Sequence, residues 1–222
     1  MTIHIRRLIH RFAPGESKPC EVDLAKTVIG LIGGIGSGKS WVATELARHG
    51  GTVVAGDKLG HEALQDSAIK TAVIQRWGNG ILDAEGNIDR RRLGKMVFAD
   101  AGQRQELEKL AFPFIERRIR EEIDKAGKDR QTAFIVLDAA VMLEAGWNKF
   151  CDRLVFVKVP RAVRLQRLAQ QRGLSEKDIE AREQAQWPEA EKEKRADFVL
   201  DNSGSLEELT RKVSDFVKEL IG

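Results

Sequence analysis

The sequence predicts an α/β fold, a parallel five-stranded sheet flanked by helices, on three observations. Five short, β-branched apolar runs are separated by stretches of helical periodicity, the pattern of parallel strands joined by crossover helices. The first run passes directly into a glycine-rich loop and then a helix. Two long stretches, 58–126 and 173–195, carry helical or polar character and no strand, which predicts an inserted helical subdomain and a mobile helical cover.

Each element follows in order. Residues 1–26 scatter Arg6, Arg7 and Arg11 among isolated isoleucines and include two turn-prone prolines, Pro14 and Pro19. They read as an N-terminal extension of unassigned role, since they lack the unbroken apolar stretch of a secretory signal, and Glu16, Glu21 and Asp23 argue against a transit peptide. Val28–Ile32 is a buried strand. The next segment puts Val42 and Leu46 on one helical face, and Gly50 and Gly51 stop that helix. A second strand covers 52–55.

Leu59, Ala63, Leu64, Ile69, Val73 and Ile74 predict a helix over 58–77, followed by the loop GNGILDAEGNID. Helices are predicted at 90–99 and 103–125, with Pro113 kinking or dividing the second. Strands return at 134–137 and 153–159, apolar enough to be buried on both faces. A basic helix at 161–172 precedes the charged segment containing Gly173 and Pro188, which suits a mobile cover. The last strand is 198–200, and a helix over 206–220 aligns Leu206, Leu209, Val213, Phe216 and Val217. The division that results is a core of 27–57, 127–172 and 196–222, a helical subdomain of 58–126 and a lid of 173–195, one domain spanning 27–222.

Composition narrows the function. The 222 residues suffice for one domain with an appendage, and no apolar run approaches the roughly 20 residues that cross a bilayer. The 37 basic residues nearly balance 34 acidic ones, leaving a net charge of +3 and no whole-molecule case for nucleic-acid binding. Cys20 and Cys151 match no metal or disulfide spacing, which points to a reducing, cytoplasmic setting.

Gly33, Gly34, Ile35, Gly36, Ser37, Gly38, Lys39 and Ser40 satisfy G-x-x-x-x-G-K-[ST] between a strand and a helix, the P-loop NTPase (Walker A) arrangement. Glycines let backbone N–H groups turn inward around a phosphate, and the helix aims its positive end at the same place. Lys39 would reach the β- and γ-phosphates of ATP, and the Ser40 hydroxyl would bind Mg²⁺. Trp41 follows where many such loops have a threonine able to donate one more hydrogen bond. A charge-assisted bond is worth roughly 1.5–3 kcal/mol, so the expectation is weakened, not abolished, nucleotide binding.

Other candidates surround the loop. Asp57 follows the second strand and reads either as the base that accepts a hydroxyl proton or as a helix N-cap. Asp138 ends FIVLD as a Walker-B-like aspartate does when it holds a magnesium-bound water; a strand-end turn is its other reading. Arg167 and Arg172 are candidates to neutralise charge on a transferring phosphoryl group, whereas Arg164 on the same helix reads as solvated. Arg90 opens an RRR run that could meet an anionic substrate or simply face water. The four histidines show no ligand spacing, and no N-K-x-D segment reads guanine.

Taken together, these residues resemble the dephospho-CoA kinase family from about Val28 onward. IGLIGGIGSGKS is similar to its phosphate loop, LDAAVMLEAGW to its D-x-P-L-L-x-E segment, RLAQQRGLSEKDIEAREQAQ to its lid and KEKRADFVLDNSGSLEEL to its ending. The resemblance implies transfer of the ATP γ-phosphate to the ribose 3′-hydroxyl of dephospho-CoA, a small-molecule substrate, with 58–126 as a helical substrate-binding insertion, 173–195 as a helical lid, and Asp57 matching the second aspartate of the family's D-A-D and serving as catalytic base. Four positions depart from the pattern: Ala55 replaces the first aspartate of D-A-D, Phe112 the histidine of H-P-L, Ala140 the proline of P-L-L, and Trp41 the threonine. These departures leave two other readings open, a P-loop kinase for another small molecule or nucleoside, and a nucleotide-binding protein without catalysis.

Overall fold

The computed structural model describes residues 26–172 and 175–221; the predicted N-terminal extension, Lys26 apart, lies outside them. Five strands, β1 (Val28–Ile32), β2 (Gly51–Ala55), β3 (Phe134–Asp138), β4 (Arg153–Lys158) and β5 (Phe198–Asp201), form one parallel sheet in the order β2-β3-β1-β4-β5. All five residues of the central β1 are buried, because helices cover both faces and neither side of the strand meets water.

The period-two alternation of side chains sorts the core. Val28 and Ile32 point to one face, with Ile135, Leu137 and Phe156, against Ile115 and Ile119 of α5 (Ala101–Lys128). Ile29 and Leu31 point to the other, against Val42 and Leu46 of α1 (Lys39–Arg48) and Leu209, Val213 and Phe216 of α9 (Leu206–Ile221). Gly30 shares the first face, where a Cβ would come within 2.8 Å of Cys151, Met142 and Leu154 side-chain atoms, so only glycine fits.

Between β2 and β3 run α2 (Gly56–Gln65), α3 (Ser67–Trp77), α4 (Arg90–Ala99) and α5, with a satellite core of Val73, Ile81, Leu93 and Val97. Two helical expectations need correction. The helix expected over 58–77 is broken at Asp66, whose carboxylate turns to cap α3, accepting from Ala68 N at 3.1 Å and Ile69 N at 3.2 Å. Conversely, α5 is undivided and runs through Pro113. Pro113 and Lys109, the residue whose carbonyl loses its usual partner, are both exposed, so water can take the place of the missing N–H.

Beyond β4 come α6 (Arg161–Arg172), α7 (Glu176–Gln184) and the short α8 (Glu189–Lys194). A reciprocal capping box between Ser175 and Asp178 starts α7. No described helix is long and apolar enough to cross a membrane.

Candidate active site at the phosphate loop

β1 delivers the chain to the carboxyl edge of the sheet, the loop occupies 33–38, and α1 begins at Lys39. Gly36 and Gly38 hold φ of +77° and +87°, the left-handed region that favours glycine. A Cβ on Gly38 would also sit 2.5 Å from Asn202 Nδ2, which donates 2.8 Å to Ser37 O from a buried position just past β5. No side chain caps α1, and its first turn carries no acid, so its leading N–H groups stay available to an anion.

Lys39 Nζ donates to the carbonyls of Gly33 at 2.9 Å and Gly34 at 3.2 Å, closing the loop on itself. Burial lowers its pKa to about 8, against the pull of Asp138. The Asp138 carboxyl is shifted upward, chiefly by burial, while Lys39 and the Ser40 hydroxyl oppose the shift and Asp57 adds to it. These four groups thus sense one another. The register explains why: Asp138 pairs with Leu31 on one side and Ala55 on the other, so three strand ends stop level and their next residues share one edge.

Asp57 lies two residues past Ala55 in the first turn of α2, exposed, while the cap position itself is Ala55. This overturns the N-cap reading. A cleft of about 1480 Å³ opens here, with Asp57, Asp138 and the loop from Ile35 to Trp41 on its walls. Arg90 lines it from α4 and Arg167 from α6, the latter donating 3.2 Å to Asn202 O. Gly33 and Gly34 lie buried behind the cleft lining. The side chain of Arg172 falls outside the described residues.

Arg164, expected to face water, is 2% exposed. Its guanidinium donates to Ile35 O at 3.0 Å and pairs with Glu183 at 2.9 Å and Glu189 at 3.0 Å, so the phosphate loop, α7 and α8 share one cation. Desolvation explains the correction, since a buried guanidinium must be paired and α7 and α8 supply two carboxylates.

The residues present fit a magnesium ion. A hydroxyl and a carboxylate, Ser40 and Asp138, stand together as hard oxygen donors. Among the described residues no three His, Cys, Asp or Glu side chains cluster to hold a metal alone, so phosphate oxygens and water would complete the shell.

A sequence model of the dephospho-CoA kinase family matches residues 27–208. The chain belongs to the dephospho-CoA kinase family. It is 40% identical over 194 residues to the dephospho-CoA kinase of Aquifex aeolicus (strain VF5), covering 86% of this chain and 96% of that one. Among solved structures, TT1252 from Thermus thermophilus superposes with a TM-score of 0.73 at 34% identity, over 89% of this chain and 99% of that one. The dephospho-CoA kinase from Campylobacter jejuni does so at 0.64 and 25% identity, over 87% and 96%.

Against that family pattern the departures take on structural meaning. Ala140 contributes its carbonyl, which accepts from Gln186 Nε2 at 3.2 Å, a bond that a proline there would equally accept. Ala55 caps α2 through backbone alone. Phe112 packs edge-on against Trp147 at 5.1 Å between ring centroids and lines the cleft.

Dephospho-CoA kinase motifs also hold residues to which sequence reasoning gave no role. Glu144, in the D-x-P-L-L-x-E segment, pairs with the buried Lys192 at 3.1 Å and accepts from Trp187 N at 2.7 Å. The six-residue spacing from Asp138 was the available signal for Glu144. Lys192 had none, being one of several alternating charges in EAEKEK. Asn202 was visible only as part of the DNSGS match.

Proposed function

We propose that the chain transfers the γ-phosphoryl group of ATP to the ribose 3′-hydroxyl of dephospho-CoA, the last step of coenzyme A synthesis. The observation that carries this reading is Asp57, an exposed carboxylate on the same cleft as Lys39, Ser40 and Asp138. A volume of about 1480 Å³ exceeds the roughly 300–1,000 Å³ of a single-ligand pocket, in keeping with two substrates bound together.

Loop amides and Lys39 hold the triphosphate, and Lys39 leaves its own loop carbonyls for the β- and γ-phosphates. Ser40 and Asp138 would hold magnesium, which would supply charge neutralisation at the terminal phosphates. Asp57 takes the proton of the acceptor hydroxyl as its oxygen bonds the γ-phosphorus and the bridge to the β-phosphate breaks, releasing ADP. Arg167 and Arg172 offset charge on the phosphoryl group in flight. Arg90, with the helices of 58–126, receives the anionic acceptor while 173–195 closes over it.

Mixing the protein with ATP, magnesium and dephospho-CoA should yield stoichiometric ADP and CoA in a coupled assay. ATP binding without CoA formation would sink the reading. Phe112, an aromatic wall where the family carries histidine, favours one second reading, a different alcohol as acceptor. A panel of nucleosides and small alcohols separates the two.

A further inference from the structure

Trp41 has a place in the structure that its position in the motif does not suggest. Its side chain is half-buried, resting on the apolar cluster between α1 and α9 that includes Val42, Leu209 and Val213. The rest of it lines the cleft immediately beyond Gly38 and Ser40. Leu206, at the first turn of α9, lines the same cleft and is 61% exposed, the most exposed large apolar side chain among the described residues. Arg167 stands nearby, anchored to Asn202 O.

A flat aromatic, a bare leucine and a guanidinium therefore line the cleft next to a loop suited to phosphates. Phosphate oxygens gain nothing from an indole face, since a carbon surface offers no donor. A heteroaromatic ring or the carbon face of a sugar gains from both stacking and apolar burial.

We propose that Trp41 is a specificity-determining residue that holds the nucleoside end of the donor nucleotide. This rests on the ATP-donor reading above and deepens it. The indole supplies from the nucleoside what the missing threonine would have supplied from a phosphate, and the two contributions are of the same order. Donor affinity is then not weakened, contrary to the expectation from the motif alone; its source moves from phosphate towards base and ribose.

The experiment is calorimetric titration of the full chain with MgATP and, separately, with magnesium tripolyphosphate, which has the phosphates without the nucleoside. Wild type, Trp41→Phe and Trp41→Thr are compared. Trp41→Thr should raise the Kd for ATP relative to tripolyphosphate by about tenfold or more, and Trp41→Phe by less than about threefold. Because both ligands are measured on the same variant, a general loosening of α1 weakens both and leaves their ratio unchanged. An unchanged ratio in Trp41→Thr overturns the proposal, as does a wild type that binds ATP no more tightly than tripolyphosphate. A wild type that binds neither ligand overturns the donor reading itself, a distinct outcome.

Discussion

Two side chains carry the sharpest residue-level consequences. Asp57 touches the reacting hydroxyl in the proposed step, so Asp57→Asn should lower kcat by roughly 10²- to 10⁴-fold and leave the Kd for MgATP nearly unchanged, checked by steady-state kinetics beside titration. Lys39 gives a pH signature. Its proton leaves the free protein through about pH 8, whereas a bound triphosphate favours the charged form. ATP affinity should therefore be full below that value and weaken by up to about tenfold per unit above it, with proton uptake on binding in calorimetry at about pH 8.5. For the unliganded protein the sign is opposite: the unfolded chain binds more protons between about 8 and 10.5, so this lysine makes stability rise with pH across that window. The glycines and Lys39 were legible because the motif's spacing dictates its chemistry. Arg164 was not, because a buried arginine and a solvated one look alike until the partner carboxylates, 19 and 25 residues away, are in place.

At the level of elements, α7 and α8 are fastened by charge. Arg164 joins α6 to Glu183, Glu189 and the loop carbonyl of Ile35, while Lys192 joins α8 to Glu144. Arg164→Met should lower stability by about 2 kcal/mol, short of the value for a fully buried pair because both glutamates keep some solvent. Calorimetry should show the loss in Tm, and limited proteolysis should cut faster between 175 and 195. Undiminished protease resistance would argue that other contacts fasten α7 and α8. The strands were readable within a residue or so, since even the partly exposed edge strands β2 and β5 keep the short β-branched apolar run that β1 and β3 bury on both faces. Helix ends in the insertion were less so: Asp66 sits in a periodic pattern that gives no sign it will turn to cap a new helix, and Pro113 suggests a break that water on an open helix face makes unnecessary.

For the whole molecule, ligand and fold are linked. MgATP at about a hundred times its Kd should add about 2.7 kcal/mol and raise Tm by roughly 5–11 °C for a chain of this size, measured by thermal melting. The strand order was not legible in the sequence, because placing β3 between β1 and β2 needs long-range pairing. That order has a mechanical result. β3 is hydrogen-bonded to both β1 and β2, so the strands bearing the phosphate loop and Asp57 are separated by two interstrand steps, roughly 10 Å. The sheet would act as a fixed gauge between the donor and the proposed base. Helices α4 and α5 line the same cleft beyond that edge, where altering them would change the guest without recalibrating the tool.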